Sequence, residues 1–84
     1  MDFDKYAVGV VIRRLRKEKK LSQEVLSGLA GLVRSHLAMI ENGKKQANFE
    51  TLWRISNALE IPPHTLVQHI ENEIAKKSNQ KTEV

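Results

Sequence analysis

Apolar residues recur along the chain every three to four positions, which is the spacing of one face of an α-helix. No segment alternates apolar and polar residues long enough to predict a strand. Asp4 is a good N-cap for the first helix, because its carboxylate accepts backbone N–H bonds, and this helix should fade near Lys20. Its apolar stripe is Val8, Val11, Ile12 and Leu15.

The second and third helices are predicted to form a closely spaced pair. Ser22 is expected to cap the second helix, and Gly31 can take the positive φ that a tight turn requires. The third helix should run from about Val33 to Glu41 and end at Asn42-Gly43, a pair suited to left-handed backbone. The residues predicted to face inward are Val25, Leu26, Leu29, Leu37 and Ile40.

Two further helices complete the prediction. Asn48 is a plausible cap for the fourth helix, and Pro62-Pro63 begins the fifth, since proline is favourable in a first turn. We expect one domain over residues 1–77 and a disordered tail over 78–84. The inner stripe of the fourth helix is Leu52, Ile55, Ser56 and Leu59. The apolar stripe of the fifth helix is Leu66, Val67, Ile70 and Ile74.

The composition narrows the class of protein. A chain of 84 residues is expected to form a single domain, and without cysteine it can hold neither a disulfide nor a zinc–thiolate site. The longest apolar run, residues 7–12, is far shorter than the ~20 residues that a membrane span needs. Basic residues follow that run instead of preceding it, which also argues against a signal peptide. We therefore expect a cytoplasmic protein.

Charge is distributed unevenly between the two halves of the chain. The net charge is +4, but residues 1–45 hold 10 basic and 5 acidic side chains, whereas residues 46–84 hold 4 and 5. A basic half suits a polyanion such as nucleic acid. Solvated helix faces are the alternative explanation.

The sequence does not predict enzyme chemistry, a metal site or a cofactor. His64 and His69 are five residues apart, so on a helix they point to different sides and form a poor metal-ligand pair. Asp2 and Asp4 lie near a terminus, where no pocket is expected to shift their pKa values. There is no glycine-rich phosphate-binding loop.

The segment from Gln23 to Asn42, two short helices around Gly31, carries the functional signal. Together with the flanking motifs, it resembles the Cro/CI-type (XRE-like) helix-turn-helix domain of bacterial and phage repressors. The matching stretches are Leu21 to Ser27, Ile40 to Lys45, Glu50 to Leu52 and Ala58-Leu59. The resemblance implies a compact, all-α, five-helix lambda-repressor-like DNA-binding domain whose helices 2 and 3 form the helix-turn-helix.

The resemblance also implies roles for individual residues. Arg16 and Glu41 match a salt bridge that ties the first helix to the third. Gln23 matches a contact to the DNA backbone and an outer base. Base-facing positions of the third helix correspond to Arg34, Ser35 and Met39, with His36 beside them. The phosphate-contacting turn corresponds to Asn42, Lys44 and Lys45.

Within this family, the segment from Gly31 to Glu41 and the Ala58 to Pro62 stretch are similar to restriction–modification controller proteins. That similarity implies a homodimer that binds a palindromic operator and regulates its own expression and that of the endonuclease. RNA polymerase is a candidate further partner. Alternatives are a phage or mobile-element repressor, or a protein-interaction module such as an antitoxin subunit. The candidate dimer interface is Leu66, Val67, Ile70 and Ile74, whose stripe could also be intramolecular core.

Three positions depart from the family pattern. Val33 stands where serine, threonine or aspartate usually caps the third helix, which corresponds to the recognition helix of the family. Ala47 stands where proline is frequent, and Ser27 where alanine is usual. The first departure leaves the start of the recognition helix without a side-chain cap.

Overall fold

The structure is a computed structural model that describes residues 1–82, with side chains described as far as residue 77. Within that range the chain forms five helices and no strand, which confirms the predicted all-α architecture. None of the helices described is long and apolar enough to cross a membrane. The helices are α1 (Lys5–Glu18), α2 (Gln23–Ala30), α3 (Arg34–Glu41), α4 (Phe49–Ala58) and α5 (Pro63–Thr82).

Three helices begin at the cap residues that the sequence predicts. Asp4 accepts a hydrogen bond from the N–H of Tyr6 at 2.9 Å. Ser22 accepts from Val25 at 3.0 Å, and Asn48 accepts from the N–H of Thr51 at 2.8 Å. Each cap satisfies a backbone donor that the first helical turn leaves without a partner.

The core takes one stripe from each helix. In α2, the buried residues are Leu26, Ser27 and Ala30, so the prediction that Val25 and Leu29 face inward is wrong. The reason is that α3 and α4 pack against the side of α2 that carries these buried residues. Val25 and Leu29 lie one turn apart on the opposite side of the helix. The fully buried larger apolar side chains include Val11, Ile12, Leu26, Leu37, Ile40, Ile55, Leu59 and Leu66.

For description we divide the helices into an α2–α3 region and an α4–α5 region, which both contact α1 and pack against each other through α2 and α4. Helix α3 packs against α1 and α2, whereas α5 packs against α1 and α4. The backbone of α5 remains helical to Thr82, which includes most of the segment predicted to be a tail. Residues 83 and 84 lie outside the described part of the chain, so the tail remains a prediction.

Candidate nucleic-acid interface

The turn between α2 and α3 is built around a left-handed glycine. Gly31 has φ 71° and ψ 32°, a conformation that residues with a Cβ rarely adopt. Its N–H donates to the carbonyl of Gly28 at 3.2 Å, and the N–H of Leu32 donates to that of Ser27 at 2.8 Å. These bonds end α2 and direct the chain into α3 at a fixed angle.

One side of α3 faces the core and the other faces solvent. Leu37 and Ile40 are fully buried, and they fix the rotation of α3 about its axis. The rotation leaves Arg34, Ser35 and Met39 exposed, as the base-facing role assigned to them requires. His36, which was placed beside them, is half-buried.

The turn that follows α3 presents two exposed lysines, Lys44 and Lys45. Asn42 is also exposed, and its Oδ1 accepts from the N–H of Lys44 at 3.1 Å. The N–H groups of Gly43, Lys44 and Lys45 all donate to carbonyls in the last turn of α3. A phosphate at this turn would therefore be held by lysine ammonium groups and the Asn42 side-chain amide, because the backbone donors are already engaged.

A buried ion pair joins α1 to the end of α3. Arg16 Nε lies 2.7 Å from Glu41 Oε2, and Arg16 Nη2 lies 2.9 Å from Glu41 Oε1. The two side chains are only 10% and 3% exposed. Arg16 Nη1 also donates to the carbonyl of Leu21 at 2.9 Å. The hydrogen bonds to Glu41 raise the pKa of Arg16 against the opposing effect of burial, so the guanidinium remains charged.

Gln23 belongs to the same network. Its Nε2 donates to Glu41 Oε1 at 3.1 Å, and the side chain is half-buried. Glu41 thus holds one residue from α1 and one from α2, and it fixes the orientation of the amide at the start of α2. The sequence placed Gln23 at the DNA backbone without indicating that its amide nitrogen is tied to the recognition helix.

Two glycines allow α3 and its turn to approach α1 closely, and sequence reasoning missed both contacts. A Cβ at Gly9 would lie 2.4 Å from the carbonyl oxygen of Ile40 and 2.5 Å from that of Glu41. Gly43, with φ 79°, packs directly beneath the ring of Tyr6. A glycine inside the predicted first helix was the available signal, since such a residue often marks a close approach of another backbone.

A second exposed surface lies on α4 and α5 and is apolar. Phe49, Trp53 and Val67 are 67%, 49% and 45% exposed, and the two aromatic rings meet edge to face with centroids 5.9 Å apart. Together with Pro63 and His64 they line a groove of about 310 Å³. Val67 also borders a second groove of about 300 Å³ that includes Phe3 and Leu52. We call Phe49, Trp53 and Val67 the α4–α5 patch.

The structure places the predicted dimer residues in two groups. Leu66 is fully buried within the single chain, and Ile70 and Ile74 are nearly so, which is the intramolecular alternative that the sequence left open. Val67 alone among the four is substantially exposed. The apolar stripe of α5 is therefore mostly core, and the aromatic residues of α4, which the sequence did not place at an interface, accompany Val67.

Comparison with known proteins agrees with this architecture. A helix-turn-helix family model matches residues 12–66. The control protein C.MunI of Mycoplasma sp is 39% identical over 70 residues, which are 82% of this chain and 95% of that protein. The immunity repressor of Bacillus phage phi105 is 40% identical over 60 residues, or 71% of this chain, but this match spans only 42% of that repressor.

A solved structure shows a similar helical arrangement over most of this chain. The restriction-modification controller protein C.AhdI from Aeromonas hydrophila has a TM-score of 0.72 at 35% sequence identity. That alignment covers 74% of this chain and 94% of the C.AhdI chain.

Proposed function

The chain belongs to the Cro/CI-type (XRE-like) helix-turn-helix family of transcription regulators, and from this premise we propose that it is a homodimeric operator-binding regulator of the restriction–modification controller type. The observation that carries the proposal is the exposed side of α3. It presents Arg34, Ser35 and Met39 on a helix held in place by the buried Arg16–Glu41 pair. Such a helix can enter the major groove as a rigid unit.

In this proposal Arg34 reads a base and the lysines position the domain. A guanidinium can donate two hydrogen bonds to O6 and N7 of guanine, which discriminates against other bases by about 1–3 kcal/mol. Lys44 and Lys45 contact phosphates and add affinity without sequence preference. Gln23, oriented by Glu41, contacts the DNA backbone from the start of α2.

The dimer is proposed to form through the α4–α5 patch. Large aromatic residues are enriched at the centres of protein interfaces, and an exposed edge-to-face pair beside an exposed valine provides such a centre. This patch lies on helices that do not form the helix-turn-helix, so a second copy can bind there while both recognition helices remain exposed. Two such helices would read half-sites about one helical turn apart.

The controller role is favoured by the extent of the similarity. This chain matches nearly the full length of C.MunI and of C.AhdI, and both are named as control or controller proteins. We propose that the operator lies upstream of its own gene and of an endonuclease gene. The phage relative supports a second candidate, a phage or mobile-element repressor.

Selection of binding sites from random duplex DNA tests the proposed function. The salt concentration should be near physiological, so that attraction to phosphates without sequence preference is screened. Enrichment of a palindrome with half-sites about one turn apart is the expected result. A search for that palindrome upstream of the chain's own gene would then test autoregulation, and a search upstream of an endonuclease gene would separate the controller and phage candidates. Failure to enrich any sequence would contradict the proposal and favour an interaction module.

Sedimentation of two matched variants tests the dimer. Val67→Asp places a charge on the α4–α5 patch and should yield monomers with weakened operator binding. Val10→Asp makes the same charge change on α1, where the valine is 41% exposed, and should leave the dimer intact. Ile70→Asp, which the apolar stripe alone would suggest, is unsuitable because it would bury a charge in the core. A Val67→Asp protein of dimeric mass would exclude this interface.

A further inference from the structure

The residue that precedes the recognition helix has two features that folding alone does not explain. Val33 occupies the N-cap position of α3, with φ −75° and ψ 146°, and it makes no side-chain cap hydrogen bond. Serine or threonine at this position would stabilise the helix by accepting a backbone N–H. Val33 is also 68% exposed. The fold therefore gains neither a cap nor a buried side chain from this valine.

The location of Val33 indicates a function for its methyl groups. It directly precedes Arg34 and Ser35, both exposed, at the end of α3 that contacts base edges when a recognition helix enters the major groove. In unmodified DNA, the 5-methyl of thymine is the apolar group that bases present there. An exposed valine at this end loses its hydration favourably when it contacts such an apolar group.

From these observations we infer that Val33 contacts the 5-methyl group of a thymine in each operator half-site. The inference rests on the proposed function and makes Val33 a specificity-determining residue. Valine suits this role because its β-branched side chain has few rotamers to lose on binding. Met39 is the other exposed apolar residue on α3, but its three rotatable bonds make it a less selective partner for one methyl group.

Uracil substitution in the selected operator tests the contact directly. Each thymine of the half-site is replaced in turn by deoxyuridine, which removes the 5-methyl and leaves base pairing unchanged. At one position we expect the wild-type protein to lose about fourfold in affinity for each substituted half-site. This is the loss expected when one buried methyl group is removed.

Three variants connect that loss to Val33. Val33→Ser should bind the thymine and uracil operators equally, while its melting temperature stays level or rises because serine caps α3. Val33→Thr keeps one methyl group and should retain part of the uracil penalty. Val25→Ser, a matched change at an exposed valine of α2, should retain the full penalty. If Val33 had only a structural role, Val33→Ser would remove the uracil penalty only together with a loss of stability.

Three outcomes would overturn the inference in distinguishable ways. If Val33→Ser keeps the uracil penalty and Met39→Ala abolishes it, Met39 contacts the methyl group. If no thymine is sensitive in an established operator, the methyl contact does not exist and the proposed function survives. A selection without any preferred sequence would contradict both.

Discussion

The α2–α3 and α4–α5 regions share one apolar core but expose different chemistry, and only the first region also contains a buried ion pair. In the α2–α3 region, a buried polar network of Arg16, Gln23 and Glu41 positions a surface that is mainly polar. In the α4–α5 region, apolar packing through Leu66 and Ile70 supports a surface that is aromatic and aliphatic. The first surface suits a hydrated, charged partner, and the second suits a protein partner.

The comparison also explains why the two regions should respond differently to substitution. A buried charge left without its partner is costly, since it cannot recover its hydration. An apolar core loses stability in proportion to the contacts removed, and its neighbours can relax. The stability of the α2–α3 region is therefore expected to depend strongly on the few atoms of the ion pair. The α4–α5 region should tolerate replacement of one apolar residue by another.

The largest effect is expected from Glu41→Ala. The change leaves the Arg16 guanidinium buried without its carboxylate and should lower the free energy of unfolding by about 3–5 kcal/mol. Urea denaturation measures this loss. Glu50→Ala breaks the exposed pair with Arg54, which spans 3.4 Å, and should cost less than about 1 kcal/mol. Equal losses in the two variants would contradict the role of the buried network.

Gly9→Ala should be the next most damaging change. The added Cβ would clash with the carbonyl oxygens at the end of α3, and separating the helices should cost about 1–3 kcal/mol. Gly28→Ala is the matched control on α2, where the Cβ would meet no other atom within 4 Å. There the reduced entropy of the unfolded chain should stabilise the protein by about 0.5–1 kcal/mol. Thermal melts of both variants would show shifts of opposite sign.

Arg34→Ala is expected to reduce operator affinity by about 1–3 kcal/mol for each half-site while leaving stability unchanged. Binding to DNA of unrelated sequence should change much less, because Arg34 is proposed to read a base. Lys45→Ala is the contrasting variant. It should weaken both complexes alike and reduce the salt dependence by about one unit of slope for each subunit of the dimer. Parallel titrations on the two DNAs would reveal a phosphate contact at Arg34 if the losses were equal.

The smallest effect is expected at Asp4, which caps α1 and lies 3.5 Å from Lys77 of α5. Burial opposes ionisation of Asp4, but the Tyr6 N–H and the Lys77 ammonium outweigh it and lower its pKa. Its stabilising contribution is therefore present above the pKa of the unfolded chain, about 4, and is lost as pH falls through the lower folded value.

Asp4→Ala should cost about 1 kcal/mol at neutral pH. Asp4→Asn retains a cap but cannot titrate, so its stability should vary less with pH below about 4. Melting curves of both variants from neutral to acidic pH check the sign. Operator affinity should be unaffected by either change, since Asp4 belongs to neither exposed surface.

Features that depend on residues close together in the sequence were predicted best. Asp4, Ser22, Asn48 and Gly31 marked helix boundaries correctly, because caps and left-handed turns depend on residues a few positions apart. The C-terminal ends of α1 and α4 have no glycine that would predict them. Lys20 and Glu60 adopt left-handed φ values of 59° and 61° without glycine.

The sequence by itself determined five amphipathic helices and three of their N-caps, since periodicity and local hydrogen bonding are encoded within each segment, and its resemblance to a family identified the helix-turn-helix. Only the tertiary structure decided which apolar residues are exposed. Val25 and Leu29 face outward, and Leu66 faces inward beside an exposed Val67. It also decided that Gln23 donates a hydrogen bond to Glu41 and that Gly9 allows α3 to approach α1 closely. These outcomes depend on how helices distant in sequence pack, and a single helix can bury only the side that its neighbours cover.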